Sequence, residues 1–237
     1  MRFDPNWDEI CVLSAKDLLD KGYKPVLTTA ICGYQIGQDL KGHTPNSRVF
    51  FDHNGIAKIT GGFPMNLPSP IHHAFFSGGF SFALADIIKD IEYDSFIFFV
   101  GEEITTVIRL WTKGYDLFVP HKIITYHLYN PIGVGQQDRN LVWEDNPKIK
   151  IREEISIKRV LHIVKNSISK DENVLEDIEK YSFGTVRTLK DYERFSGLDF
   201  KRKKLRERAE HGIFEEWKNV SNTNVIKGIF SRLKTRN

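Results

Sequence analysis

Cysteine is scarce in this sequence, which contains only Cys11 and Cys32. Two cysteines exclude a disulfide framework, and they are too few for a structural zinc site, which needs about four ligands. No apolar run approaches the ~20 residues that span a bilayer, and the segment from Met1 to Pro5 lacks the apolar stretch of a signal peptide. These absences argue against disulfide-rich secreted and membrane-spanning proteins, and they favour a reducing, cytoplasmic setting.

Charge is unevenly distributed along the chain. The 237 residues carry a formal net charge of +3, but residues 201–237 hold 11 Lys and Arg against 4 Asp and Glu, whereas residues 1–200 hold 23 against 27. A mildly acidic main part with a basic tail is not typical of a nucleic-acid-binding domain, so no nucleic-acid partner is expected. A chain of this length buries one sizeable core, which predicts one domain with a peripheral extension.

The first part of the chain predicts a helix, a strand and a hairpin. Apolar residues at helical spacing indicate a helix over residues 5–22, ending at Gly22. A buried-type strand over 25–30 follows, and Asn54-Gly55 between apolar segments predicts a hairpin over 48–60. Two segments rich in Gly, Pro and polar residues predict long loops, at 33–46 and 61–70.

The densest pattern lies between residues 74 and 129. Apolar side chains at positions 104, 107, 108 and 111 predict an amphipathic helix from residue 101 to Gly114. The other elements predicted here are strands at 74–82 (broken by a glycine pair), 97–100, 115–119 and 123–127, and a short helix at 85–91. Further helices are predicted at 151–169, 174–181, 201–219 and 224–233. Strands and helices alternate, so the predicted fold class is α/β.

Two glycine-containing segments are candidates for a site. Glycine inside a strand weakens it, so Gly78-Gly79 indicates either a simple bulge or the close approach of a ligand to the backbone. Glu102 and Glu103 follow Gly101 at the start of the predicted helix. Carboxylates there match the helix dipole without any ligand. The end of a strand is also where α/β sheets bind ligands, so these carboxylates are candidates for holding sugar hydroxyls.

Three histidines carry open alternatives. His127 follows an apolar run. This pattern is compatible with a core histidine whose hydrogen bonds are satisfied, and also with a metal ligand. His72 and His73 lie beside the Pro-rich segment and are predicted to lie in a surface loop.

The order and spacing of these segments resemble a known family. Residues 99–104, 109–117 and 126–129 resemble the glycosyltransferase (GlcNAc) family, which includes a hydroxyproline N-acetylglucosaminyltransferase. Residues 187–200 are similar to the C-terminal signature of that family. The order of Gly78-Gly79, Gly101-Glu102, Arg109-Leu110-Trp111 and His127 is more distantly similar to the polypeptide N-acetylgalactosaminyltransferases. The likeness covers residues 1–200.

The resemblance implies a fold and an activity. It implies a GT-A-type, Rossmann-like domain whose C-terminal part is residues 1–130, a helical region at 131–200 and a basic helical tail at 201–237. The implied reaction transfers N-acetylglucosamine or a related sugar from a UDP-sugar donor to a hydroxyl of a protein or glycan acceptor. The reaction would be metal-dependent and would retain the anomeric configuration. Loops at 33–46 or 61–73 would close over the donor.

The same resemblance implies roles for particular residues. Gly78, Gly79, Gly101 and Glu102 would bind the donor sugar. Glu102 and Glu103 would be the catalytic residues: Glu102 would accept hydrogen bonds from sugar hydroxyls and would not be a nucleophile, and Glu103 would meet the sugar or the acceptor. The departing phosphate would take the proton of the acceptor. His127 would be a ligand of a divalent metal, expected to be Mn²⁺.

One departure from the family pattern concerns the first residues. The family has an Asp-x-His metal motif directly before a segment similar to Met1–Asp8, which begins this sequence. The expectation is that two metal ligands and the upstream nucleotide-binding strands are absent, and that this chain alone has little activity. The alternatives are a reading frame cut by a wrong start, a separate chain that supplies the first half, or a non-catalytic remnant. A binding module that acts through the basic tail is a further alternative, with an amphipathic helix at 224–233 lying on a membrane surface.

Overall fold

The computed structural model describes residues 1–37, 39–40, 42, 44–65, 67–129, 148–214 and 217. The helices are α1 Trp7–Asp20, α2 Ile87–Asp90, α3 Glu102–Thr112, α4 Ile149–Ile163, α5 Glu172–Leu175, α6 Leu189–Ser196 and α7 Glu207–His211. The strands are β1 Arg2–Phe3, β2 Pro25–Thr28, β3 Cys32–Gly33, β4 Thr44–Phe51, β5 Ala57–Met65, β6 Ile71–His73, β7 Ser81–Ala83, β8 Asp116–Val119, β9 Thr125–His127, β10 Leu198–Asp199 and β11 Lys204–Leu205. The predicted α/β class is confirmed.

The central sheet has the strand order β6-β8-β2-β7. Strands β2 and β8 run parallel, with Val26 opposite Leu117, while β6 and β7 are antiparallel to their neighbours. A second sheet has the order β1-β9-β3, and here Arg2 pairs with Tyr126 across 124 positions of sequence. Strands β4 and β5 form the hairpin predicted around Asn54-Gly55, and β10 and β11 form a second, shorter one.

Helix α3 lies at the centre of the hydrophobic core. All of its residues from Ile104 to Thr112 are buried. The amphipathic pattern predicted burial of one face of this helix only. Trp111 stacks on Phe195 of α6 with ring centroids 4.6 Å apart, so the C-terminal region covers the side of α3 away from the sheet. Gly114 ends the helix region with φ +87°, as predicted.

Two predicted strands are wrong, and the reason in each case is a side chain that takes the backbone hydrogen bonds. Within residues 74–82, only Ser81 and Phe82 belong to a strand, because Thr28 Oγ1 accepts from Ser77 N (2.9 Å) and donates to Phe80 O (3.1 Å), which holds the glycine pair in a turn. Residues 97–100 are irregular. Phe98 N donates to Ser156 Oγ (2.7 Å) and Phe99 has φ +57°, so no neighbouring strand is paired there.

Several predicted boundaries are corrected as well. The loops predicted at 33–46 and 61–70 are shorter, since β4 begins at Thr44 and β5 continues to Met65. The helix predicted at 151–169 ends at Ile163, and of the helix predicted at 174–181 only residues 174–175 are helical, as the end of α5. Within the described residues of the helix predicted at 201–219, only α7 is helical. Residues 204–205 form a strand because the chain reverses at Lys203, which has φ +54°. The helix predicted at 224–233 and the domain boundary at residue 130 lie outside the described residues.

Helix α6 was not predicted, although its sequence signal is clear in retrospect. Thr188 and Asp191 form a reciprocal capping box, in which each side chain accepts a hydrogen bond from the other's backbone N–H. Gly197, with φ +78°, ends the helix. Of the helices in the described ranges, none combines the length and the apolar character needed to span a bilayer.

Candidate functional site

The first turn of α3 carries the two candidate carboxylates. Gly101 precedes them with φ +87°, and a methyl group there would lie 2.5 Å from Val160 Cγ2 of α4. Both the backbone conformation and this close approach therefore require glycine at position 101. Thr105 Oγ1 donates back to Gly101 O (2.9 Å), which fixes the start of the helix. The consequence is a rigid platform for Glu102 and Glu103.

Glu103 connects this platform to the glycine pair. Gly78 N donates to Glu103 Oε1 at 2.7 Å, so two of the predicted site segments are in direct contact. Burial raises the pKa of Glu103, the hydrogen bond from Gly78 opposes this rise, and the negative charge of Glu102 adds to it. The result is a half-buried carboxylate whose pKa lies above its ordinary value.

Gly78 and Gly79 form an exposed turn. A methyl group at Gly79 would lie 2.6 Å from Ile31 Cδ1, so the backbone of the turn approaches this side chain closely. At Gly78 the corresponding contact is 3.4 Å, to Glu103 Oε1. The glycine pair thus presents bare backbone at the surface, beside the first turn of α3.

Glu102 lies next to Glu103 and faces Tyr93. Glu102 Oε2 is buried and accepts no hydrogen bond from the described residues. Partial burial raises the pKa of Tyr93 to about 12, and the negative charges of Glu102 and then Glu103 contribute to the rise. Tyr93 is 61% exposed, so its ring forms part of the surface around the two carboxylates. A sugar-binding site typically needs this combination of a hydrogen-bond acceptor and an accessible aromatic ring.

His127 ends β9, where Gly33 of β3 is its register partner. Its ring is half-buried and lies 4.2 Å from the ring of Tyr129, centroid to centroid, at an angle of 46°. Arg2 pairs with the preceding residue, Tyr126, so the first strand of the chain runs beside His127. The beginning of the chain therefore lies beside His127.

Tyr129 links His127 to the carboxylate side of the site. Its hydroxyl donates to Ile31 O (3.3 Å), and Ile31 is the residue that Gly79 approaches. Burial raises the pKa of Tyr129, and the negative charges of Cys32 and Glu103 raise it further. Glu103 is therefore close enough to Tyr129 to act on it electrostatically. The glycine turn, the carboxylates and the end of β9 thus border one surface region, which we call the candidate site.

Sequence reasoning missed Tyr93, Tyr129 and Ile31. The signal for Tyr129 was present, because residues 127 and 129 are two apart and share a face of an extended segment. Nothing in the local pattern distinguishes Tyr93 or Ile31, which join the site only through tertiary contacts.

The prediction that His72 and His73 lie in a surface loop is wrong. Both are buried in β6, where His72 pairs with Phe118 of β8. Burial lowers the pKa of His72 to about 4, with a contribution from Arg187, and that of His73 to about 3. Both are neutral at pH 7. Both belong to the core, because the ring of Phe214 packs against that of His73 and Trp217 N donates to His72 Nδ1.

A metal centre can be tested against the described residues. Across those ranges, no three or more His, Cys, Asp and Glu side chains group closely enough to hold an ion. His127 contributes one imidazole to the candidate site, and one nitrogen falls short of the ligand set that a divalent cation needs. The described residues therefore do not form a complete metal site.

Comparison with known families identifies the class. An α/β domain with two carboxylates at a helix start beside a glycine turn has the chemistry to hold a polyhydroxylated ligand. Residues 1–202 match the family described as Glycosyltransferase (GlcNAc), and the chain belongs to this family. A search of curated proteins gives no significant match. Family membership supports a glycosyl-transfer function, which requires a sugar donor and an acceptor.

Proposed function

We propose that this chain takes part in transferring N-acetylglucosamine from a UDP-sugar to a hydroxyl of a protein or glycan, with retention of configuration and on a GT-A-type fold. The observation that carries the proposal is the hydrogen bond from Gly78 N to Glu103 Oε1 at 2.7 Å. It joins the glycine turn to the carboxylates of α3, in the order expected from the family to which residues 1–202 belong.

Glu102 is the proposed contact to the donor sugar. Its Oε2 accepts no hydrogen bond from the described residues, and a buried carboxylate oxygen without a donor is costly unless a ligand provides one. Sugar hydroxyls are such donors. Tyr93, exposed next to Glu102, offers an aromatic face to the apolar side of the sugar ring.

Glu103 is the proposed positioning residue. One of its oxygens is already engaged by Gly78 N, so its role is to hold the glycine turn against the start of α3. The backbone of Gly78 and Gly79 is exposed, and we propose that it borders the donor sugar bound to Glu102. No side chain is assigned as nucleophile, and the departing phosphate is the proposed acceptor of the proton.

A divalent cation, expected to be Mn²⁺, remains part of the proposal through His127 alone. His127 would provide one nitrogen ligand, and the remaining ligands would come from outside the described residues. We assign no catalytic step to the metal.

Turnover and donor binding test the proposal at two levels. Radiolabelled UDP-N-acetylglucosamine with Mn²⁺ measures transfer and hydrolysis, and saturation-transfer NMR measures binding of the sugar even where turnover is absent. We expect N-acetylglucosamine protons to receive saturation, with UDP-glucose as the comparison donor. A non-catalytic module that acts through the basic tail would show neither turnover nor contact with the sugar.

Glu102→Ala is the sharpest single substitution. Loss of hydrogen bonds to a charged group costs roughly 1.5–3 kcal/mol, so binding or transfer should fall about 10- to 150-fold. The melting temperature should fall only slightly, because Glu102 Oε2 accepts no hydrogen bond from the described residues and the first-turn charge contributes about 0.3–1 kcal/mol. Glu153→Ala, an exposed carboxylate of α4, is the matched control and should change neither quantity. Equal donor affinity in wild type and Glu102→Ala would reduce Glu102 to a charge that matches the helix dipole.

A further inference from the structure

A basic cleft lies at the C-terminal end of α6. Its volume is about 940 Å³, and it is formed by α6 together with the hairpin of β10 and β11. Six basic side chains line it: Lys190, Arg194, Lys201, Arg202, Lys204 and Arg206. Only two carboxylates, Glu193 and Asp199, belong to the lining. This cleft is separate from the candidate site, and no residue of that site contributes to it.

Both carboxylates of the cleft already have partners within the fold. Glu193 Oε1 accepts from Phe200 N (3.0 Å). Asp199 accepts from Arg202 N (2.8 Å) and from Arg202 Nη1 (3.1 Å). The hydrogen bond from Arg202 N is the main reason that the pKa of Asp199 lies below its ordinary value. Arg194 also pairs with Asp191 of α6. Among the described residues, four of the six cationic side chains of the cleft therefore have no carboxylate partner: Lys190, Lys201, Lys204 and Arg206.

The positive charges project from a well-defined scaffold. A capping box begins α6, and Arg206 N donates to Gly197 O (2.9 Å), which ties the hairpin to the end of the helix. Among the described residues, no carboxylate lies within ion-pair distance of Lys190, Lys201 or Arg206. Uncompensated like charges held together on a rigid surface repel one another, and an anionic ligand relieves that repulsion.

We propose that this cleft binds an acidic peptide segment of a partner protein. Its volume lies at the upper end of the range of ligand pockets, and its concave form suits an extended chain more than a flat membrane surface. The lining contains no aromatic ring on which a nucleic-acid base would stack. Its apolar members, Leu198 and Leu205, are buried or half-buried and offer nothing for insertion into a bilayer.

The test compares two charge-reversal variants of the full chain. Lys190→Glu with Lys201→Glu changes the cleft, whereas Lys16→Glu with Lys158→Glu makes the same change of net charge on exposed residues of α1 and α4. Binding of a fluorescein-labelled oligoglutamate peptide is measured by fluorescence anisotropy. We expect the cleft variant to weaken binding at least about tenfold and the control less than about twofold. Affinity of the wild type should fall as ionic strength rises.

The other outcomes overturn the proposal. No binding of oligoglutamate, or equal weakening by both variants, would show that the cleft has no specific role. Tighter binding of an oligo-dT strand or of phosphatidylserine vesicles, lost in the cleft variant, would mean that the cleft binds that polyanion and not an acidic peptide. Lys190→Gln with Lys201→Gln gives an intermediate loss if charge is responsible, and thermal melting verifies that every variant is folded. The assay needs no glycosyl transfer, so its result is independent of the proposed function.

Discussion

The charged side chains near the two ends of α3 are arranged in opposite ways. Near its C-terminal end, Arg187 lies 4.2 Å above the ring of Trp111, and its Nη2 donates to the buried Asp116 Oδ1 at 2.7 Å. At the N-terminal end, Glu102 and Glu103 are adjacent like charges, and Glu102 Oε2 accepts no hydrogen bond from the described residues. Breaking a buried pair of opposite charges strongly destabilises a fold. Adjacent like charges do not stabilise a fold, and such groups are typical of candidate functional sites.

The largest effect on stability is expected near the C-terminal end of α3. Arg187→Met removes the cationic partner of Asp116, both side chains being almost fully buried. The buried carboxylate then keeps only the hydrogen bond from Lys24 N (3.2 Å) and the neutral His72 ring nearby. We expect the free energy of unfolding in urea to fall by about 3–5 kcal/mol. Arg202→Met, which breaks the exposed pair with Asp199, is the control and should cost less than about 1 kcal/mol. Similar losses in the two variants would contradict the contrast between buried and exposed charge.

A pH dependence is expected next to the same buried pair. The pKa of His73 is lowered from 6.5 to about 3 and that of His72 to about 4, both mainly by burial. The unfolded chain therefore takes up protons first as the pH falls, so stability present above pH 6.5 is lost as the pH falls toward 4. Each histidine contributes a loss of about 3 kcal/mol over that window.

His73→Phe isolates this contribution. Because a phenyl ring takes up no proton, the slope of unfolding free energy against pH should become shallower between pH 6.5 and 4. His53→Phe, at an exposed position of the β4–β5 turn, should leave the slope unchanged. The assignment of His73 to the neutral core fails if both variants keep the slope of the wild type.

A smaller, steric effect on stability is expected at the glycine turn beside the N-terminal end of α3. Gly79→Ala would place a methyl group 2.6 Å from Ile31 Cδ1. Because this atom is the end of a half-buried side chain that can shift, the cost should lie near the lower end of the about 1–3 kcal/mol typical of overpacking. Ile31→Val deletes that carbon, so the double variant should recover part of the melting temperature and of the donor binding. Gly78→Ala meets its nearest atom only at 3.4 Å and should be milder. If Gly78→Ala were the more damaging change, the close approach to Ile31 would be irrelevant.

A modest effect on stability is expected for His127→Ala. The half-buried ring contacts Tyr129, and loss of such a ring contact costs about 0.5–1.5 kcal/mol. A metal ligand would in addition change the Mn²⁺ concentration that gives half-maximal activity or, without activity, the Mn²⁺-induced relaxation of nearby NMR signals. A large drop in melting temperature with an unchanged response to Mn²⁺ would make His127 purely structural.

Local signals predicted the elements whose hydrogen bonds are local. Helix α3, the β4–β5 hairpin and the stop at Gly114 follow from periodicity, Asn-Gly and glycine. Two of the residues named as site candidates, Gly78 and Glu103, are in contact, although their roles stay predictions. Residues 97–100 and the glycine turn were mistaken for strands because their partners, Ser156 and Thr28, lie 58 and about 50 residues away in sequence. Tyr93 joins the candidate site for the same kind of reason, through tertiary contact that no local pattern encodes.

The pairing of β1 with β9 sets an order of events during synthesis. Arg2 cannot pair with Tyr126 until the ribosome has added the 124 residues that follow Arg2 up to and including Tyr126, which takes roughly 6 to 25 s. Throughout that interval the Arg2–Phe3 segment has unpaired backbone groups, and Phe3 remains 46% exposed even after folding. Such an edge can pair with another nascent chain. Slower initiation or a lower growth temperature should therefore favour soluble expression, because fewer unfinished chains would meet.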